Sequence, residues 1–232
     1  MDTETSGVSV LDDHIVTLFL GLMDDTGYFH LQQDWLIDFG GEIPQGATDV
    51  HGISTSHMRE HGRMDVARVL EEVYSIIEAE CGQNGAPLVA YNASFDLSLL
   101  ETERRRHAQH IPPLDFTRIH VYDPFVADKR LNKWRKGKRT LTAIAPEYGV
   151  PVEENAHDAG ADCLMTGRIA LRQLKDDLFR GIPLPIIAES IALWAVDQRV
   201  ELQEYFRGPK GGQPDAVVDM GFPLHSALTV AP

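Results

Sequence analysis

Residues 14–23, His-Ile-Val-Thr-Leu-Phe-Leu-Gly-Leu-Met, form an apolar run with β-branched members, and this pattern predicts a central strand. Asp24-Asp25-Thr26-Gly27 reads as a turn, residues 28–31 as a returning strand, and 35–39 as its continuation. Residues 40–52, with several glycines and Pro44, read as loop. Val66, Val69, Leu70, Val73, Ile76 and Ile77 share one helical face, so 65–80 is predicted to be an amphipathic helix ended by 82–87. A short buried strand is expected at 88–91, a helix at 95–107, and a strand at 119–122 closed before Pro124. A short helix at 140–148 stops at Gly149. A long helix at 157–178 turns Cys163, Leu164, Ile169, Leu171 and Leu174 inward, and another follows at 186–206 after Pro183 and Pro185. Strands interleaved with helices predict an α/β sandwich that opens with a hairpin, without internal repeats. The division expected is a main domain at 1–178 and a C-terminal helix with a Gly/Pro-containing tail at 179–232.

Composition narrows the class. Of 232 residues, 43% are hydrophobic and 24% charged, which supports a packed core and excludes general disorder. Cys81 and Cys163 are too few for a disulfide scaffold or a four-thiolate metal site. No run of 18 apolar residues predicts a membrane span, and Met1-Asp2-Thr3-Glu4 is no basic leader, so a cytoplasmic location is expected. The formal charge of −14, from 35 acidic and 21 basic residues, by itself argues against a nucleic-acid partner.

The distribution of that charge changes the picture. Residues 1–58 contain ten Asp and Glu and no Lys or Arg, whereas 104–139 hold eleven of the 21 basic residues. Two clusters stand out: Arg104-Arg105-Arg106, and residues 129–139, whose centre is Lys133-Trp134-Arg135. A basic stripe around an aromatic matches a phosphate backbone with a base to stack on; the plainer reading is a solvated loop or helix face.

Several carboxylates are placed for chemistry. Asp2 and Glu4 face one side of an extended segment, unless they belong to a frayed acidic terminus. Asp96 sits where a strand gives way to a helix, as either a site residue or a first-turn acid favoured by the helix dipole. Asp162 follows His157 by five residues, with Ala159, Gly160 and Ala161 leaving an uncrowded approach and Asp158 as the helix cap. His157 alone fits a surface or capping role equally. Taken together, four carboxylates and a histidine suit two-metal phosphoryl hydrolysis, with two Mg²⁺ or Mn²⁺ about 4 Å apart and the histidine accepting a proton from water. Oxygen donors favour these hard cations over zinc.

The order of these motifs resembles the DnaQ-like, or DEDDh, 3′→5′ exonuclease superfamily. Asp2-Thr3-Glu4-Thr5-Ser6-Gly7 resembles its first motif, His51-Gly52-Ile53-Ser54 a family loop, and Tyr91-Asn92-Ala93-Ser94-Phe95-Asp96 its second motif. Val121-Tyr122-Asp123-Pro124 resembles a strand that usually ends in Asp-Thr, Leu141 matches a leucine of the following short helix, and His157-Asp158-Ala159-Gly160-Ala161-Asp162 resembles the histidine-type third motif. The resemblance covers about residues 2–175. It implies a ribonuclease H-like α/β/α fold with a mixed five-stranded sheet. Asp2, Glu4, Asp96 and Asp162 would hold two metals and His157 would be the general base. Thr5 and Ser6 would lie near the terminal nucleotide, with Phe95 packed beside the site. The implied reaction is stepwise hydrolysis of DNA from the 3′ end, releasing nucleoside 5′-monophosphates.

Three departures qualify the resemblance. Asp2 would close a first strand of about five residues, yet only Met1 precedes it, so that strand is expected to be truncated. Residues 129–139 exceed what a minimal domain needs and suit a guide for the strand, with Lys133, Trp134 and Arg135 as substrate contacts. The segment after 180 shows no polymerase domain. Single-stranded DNA 3′ ends are the expected partner. The alternatives are RNA or short oligonucleotides, and a catalytically impaired nucleic-acid-binding or polymerase-associated subunit.

Overall fold

The computed structural model describes residues 1–152 and 158–229. Three strands open the chain: β1 (Asp2–Thr5), β2 (Ile15–Met23) and β3 (Phe29–Leu36). They form an antiparallel sheet in that order, with Asp2 opposite Phe19, Thr3 opposite Leu18 and Glu4 opposite Thr17. The turn between β2 and β3 is held by Asp24, whose carboxylate accepts the amides of Thr26 at 2.9 Å and Tyr28 at 3.1 Å. Helices α1 (Gln45–His51), α2 (Thr55–His61) and α3 (Val66–Ile77) follow, α3 running on into a π-helical turn at Glu78–Gln83. Then come β4 (Leu88–Val89), α4 (Ala93–His107), β5 (Val121–Tyr122) and α5 (Pro124–Leu131). The chain ends with α6 (Leu141–Ile144) and its 3₁₀ extension Ala145–Tyr148, α7 (Ala159–Gln173), α8 (Leu184–Arg207) and α9 (Ser226–Thr229).

β4 and β5 pair in parallel, so the strands lie in two ladders. Their junction is the Met1 nitrogen, which donates to the Val89 carbonyl at 2.7 Å. The first strand is present with four residues. Beyond Met1, residues 21–23 of β2 pair with β3 alone, and an apolar cavity of about 160 Å³ lies there, lined among others by Leu20, Leu22, Cys81, Leu88 and Cys163.

Helices cover both faces of the sheet. Leu18 and Leu20 turn to one side, where α3 buries Val66, Val69, Leu70, Val73, Tyr74 and Ile77, and α4 buries Leu97, Leu99 and Leu100. On the other side α7 lies unusually close. A Cβ on Gly160 would stand 3.1 Å from the Phe19 ring, and one on Gly167 would meet the Met23 side chain at 2.7 Å. The two glycines, seven residues apart on α7, let the helix settle on β2.

Two helices lie where loop or no element was predicted. α1 falls inside 40–52 and buries no residue, so it leaves no hydrophobic period to read. α2 buries only Met58. The segment after 179 packs onto the main body. Phe179, Ile187, Ile191 and Ala195 join Tyr122, Val126, Ala127 and Ala170 in one core, while Phe222 and Leu224 reach the core under the sheet. The same segment straps α4: Arg199 bonds the Ser94 hydroxyl, the His225 amide donates to Ser98 Oγ at 2.7 Å, and Arg105 bonds the Leu228 carbonyl. Among the described residues, no helix is long and apolar enough to cross a membrane.

Candidate active site

Strand alternation places Asp2 and Glu4 on the face of β1 that meets α7, and Thr3 on the other. α7 begins at Asp158, whose carboxylate accepts the amides of Gly160 at 3.0 Å and Ala161 at 3.1 Å. This cap and the bare Gly160 bring Asp162, in the first turn, over β1. Ligand oxygens of Asp2, Glu4 and Asp162 lie within 4.8 Å of one another. Asp96 stands beside this trio in the first turn of α4, only 4% exposed, and the Thr3 hydroxyl donates to its Oδ1 at 2.7 Å. His157 lies outside the described residues.

The cluster is electrostatically strained. Burial, and then the charges of Asp96, Asp162 and Glu4, hold Asp2 well above the ordinary carboxylate value. Burial and the charges of Asp162 and Asp96 push Glu4 up to about 8. Burial pushes Asp96 up to about 6, against the lowering effect of the Thr3 hydrogen bond. No described Lys or Arg side chain bonds to Asp2, Glu4 or Asp96. The Met1 ammonium offsets part of this repulsion at Asp96. A converging set of hard oxygen donors under such mutual repulsion fits a divalent cation, whose charge would relieve it.

The remaining predicted site residues fall into two groups. The first borders the carboxylates. Phe95 is half-buried in the first turn of α4. The Thr5 hydroxyl donates to the Gly7 carbonyl at 2.6 Å. Ser6 is buried, and its hydroxyl accepts the His14 amide at 2.9 Å and donates to Asp13 at 3.3 Å, closing the 6–14 loop. His51, whose imidazole is lowered by burial, sits against the Thr5 backbone.

The second group is the basic arm after α5. Trp134 is 87% exposed, with Lys133 Nζ 5.8 Å from its ring centre. Lys133 also lies 3.6 Å from Glu201. Arg135 turns inward, donating to Asp128 at 3.4 Å and to the Lys138 carbonyl at 3.1 Å. Asp128 is fully buried and also takes Arg139 and the Tyr148 hydroxyl, the latter at 2.9 Å. Tyr91 donates to the Arg139 carbonyl at 2.5 Å, so the base of the arm is tied to the turn that leads into Asp96. Arg104, Arg105 and Arg106 form no basic face: they bond Glu101, Glu103 and backbone carbonyls.

Two contributors escaped the sequence reading: Thr3, which binds Asp96, and Asp123, which binds the turn ahead of it. Thr3 had one signal, its position between two candidate ligands on a buried strand. Asp123 was marked only as the end of a strand in Val121-Tyr122-Asp123-Pro124, and its bonds to Asn92 and Ala93, some thirty residues away, left no signal.

Known proteins resemble this chain in sequence and in fold. The family model RNase_T, described as Exonuclease, matches residues 1–170. The chain is 28% identical over 177 residues to the PolC-type DNA polymerase III of Streptococcus mutans, a match covering 75% of this chain and 11% of that protein. The corresponding protein of Streptococcus thermophilus is 27% identical over 175 residues, and the chain spans about a tenth of the length of these relatives. Three solved structures share the fold. They are E. coli exonuclease I with a dT13 oligonucleotide (TM-score 0.62, 18% identity, 75% of this chain and 40% of that one), exonuclease X with 5′-overhanging duplex DNA (0.54, 21%, 81% and 96%) and the nuclease domain of 3′hExo, a DEDDh family member bound to rAMP (0.58, 14%, 77% and 91%). The fold is therefore that of a ribonuclease H-like α/β nuclease. The chain belongs to the exonuclease family, within its DnaQ-like 3′→5′ branch, and is an enzyme of that class.

Proposed function

We propose that this enzyme removes nucleotides one at a time from the 3′ ends of DNA and releases nucleoside 5′-monophosphates, with two Mg²⁺ or Mn²⁺ as cofactors. The observation that carries the reading is the convergence of Asp2, Glu4 and Asp162 within 4.8 Å, with buried Asp96 beside them. These four carboxylates are the residues that would hold the ions. Bound there, the ions would supply a Lewis acid for the scissile phosphate and an acidified water. His157 is assigned the proton from that water. Thr5, Ser6 and Phe95 are assigned to the rim that receives the terminal nucleotide. Lys133 and Trp134 are assigned to the strand behind it, through phosphate attraction and base stacking, and Arg135 supports them from its contact with Asp128. The PolC-type relatives and the DNA-bound exonuclease neighbours support DNA as substrate and a polymerase as a partner.

The test is mononucleotide release from 3′-labelled single-stranded DNA, duplex DNA and RNA with Mg²⁺ or Mn²⁺. Release from DNA is expected to exceed that from RNA and to vanish in chelator. Equal or faster release from RNA replaces the DNA reading with an RNA one, and absence of release from every substrate supports a binding subunit. Unchanged release in both Asp2→Ala and His157→Ala sinks the mechanism. Trp134→Ala is expected to raise KM for long single strands by about fivefold or more, the value of one lost stacked base, with kcat held.

A further inference from the structure

We propose that Asp123 is a positioning residue that sets the place of Asp96; the proposal rests on the exonuclease reading of the site. Asp123 follows the last residue of β5 and is 2% exposed. Its Oδ1 accepts the amides of Asn92 at 3.0 Å and Phe125 at 2.9 Å, and its Oδ2 accepts the amide of Ala93 at 2.9 Å. One carboxylate therefore caps the N-termini of α4 and α5 together.

The α4 end needs this help. Asn92 has φ 60° and ψ 47°, the one non-glycine residue with positive φ among the described residues. Its own side chain caps nothing. A left-handed residue followed by a helical one turns successive N–H groups toward a common point, forming a concavity for an anion. Here the anion comes from the neighbouring strand. The left-handed conformation and the buried Ala93 amide both cost free energy unless the carboxylate is present.

Asp96 lies three residues beyond Ala93, in the first turn of the helix so held. The β4–β5 ladder next to it is only two residue pairs long, Leu88 with Val121 and Val89 with Tyr122. The Asp123 bonds carry the register from this short ladder into the first turn of α4. Asp123 bonds none of Asp2, Glu4, Asp96 or Asp162; it acts on the site through the backbone of residues 92 and 93.

The experiment titrates Mn²⁺ directly onto the full chain by calorimetry, alongside nuclease kinetics. Asp123→Asn keeps the shape but turns one acceptor into a donor facing an amide. It is expected to weaken Mn²⁺ binding about tenfold or more, the usual scale for a group that orients a metal ligand, and to lower kcat while KM stays within twofold. Adding Asn92→Gly, which takes positive φ without strain, is expected to recover part of that loss. A folded Asp123→Asn with Mn²⁺ affinity within twofold of the unmodified chain overturns the proposal. Should that variant not fold, amide hydrogen exchange in the unmodified chain decides: slow exchange at Asn92 and Ala93 supports the clamp, and exchange at the rate of open loop amides refutes it. Asp96→Asn separates the two levels. Unchanged activity and metal binding there defeat the exonuclease reading itself, whereas loss there with none in Asp123→Asn defeats only the positioning role.

Discussion

The two ends of α4 carry buried carboxylates in opposite electrostatic states. Asp96 and Glu101 lie five residues apart on one helix and are each 4% exposed. Burial pushes Asp96 up to about 6. Burial also pulls Glu101 upward, but hydrogen bonds from Arg104 and Arg105 outweigh it and hold Glu101 below its ordinary value. Arg104 makes a two-pronged pair with Glu101, at 2.7 and 2.8 Å, and Arg106 bonds Glu103 at 2.7 Å. The C-terminal end is a finished ion-pair clasp. The N-terminal end is an acidic cluster whose carboxylates raise one another's proton affinity. Burial alone therefore does not identify a site; a buried acid amid like charges does.

The largest effect should come from removing a carboxylate from the acidic end. Asp2→Asn is expected to lower mononucleotide release on the order of 10³-fold, about 4 kcal/mol of barrier, while raising the Tm in chelator because one repelling charge is gone. A fall in Tm would show that the cluster stabilises the fold and would erase the contrast. At the other end, Glu101→Ala leaves Arg104 buried and unpaired, and denaturant titration should report a loss of about 3 kcal/mol or more. A loss below about 1 kcal/mol would mean the clasp is as dispensable as a surface pair. Divalent cation should then stabilise the chain by about 2.7 kcal/mol at a hundredfold excess over its Kd, seen as a Tm increase that Asp2→Asn removes and Glu101→Ala retains. An equal increase in both variants would place the cation elsewhere.

The smallest effect is a pH dependence at the clasp. The Glu101 value is lowered in the folded chain, so its contribution is present above the unfolded value near 4.5 and is lost as pH falls through the folded one. Unfolding experiments below pH 5 should therefore show a loss of stability, and Glu101→Gln should flatten part of that slope. An identical slope in the variant would assign the acid sensitivity to other carboxylates.

Much of the architecture was visible in local pattern. β2 announced itself as an apolar run, and α3 by the face from Val66 to Ile77. Asp2, Glu4, Asp96 and Asp162 could be named because each sits in a short motif at an element boundary. α1 could not be seen, because it buries nothing and so has no period. The basic residues misled in a more instructive way. Arg104, Arg105 and Arg106 read as a charged cluster, yet they turn toward Glu101, Glu103 and the carbonyls of Leu11, Asp13, Ile111 and Leu228. Arg135 and Arg139 likewise close on Asp128, leaving Trp134 exposed at the tip of the arm. A sequence shows the sign of a charge but not which opposite charge it will meet.

By itself the sequence determined the α/β class, the motif order, the acidic first quarter and the identity of the candidate ligands. These follow from residue type and spacing within a few positions, where chain geometry leaves little freedom. Only the tertiary structure decided which carboxylates gather together and which meet an arginine, that Thr3 holds Asp96, that Asp123 caps the helix bearing it, and that half the apparent basic surface is an internal clasp. Each of those outcomes joins residues far apart in the chain, and burial and Coulomb energy act on distance in space.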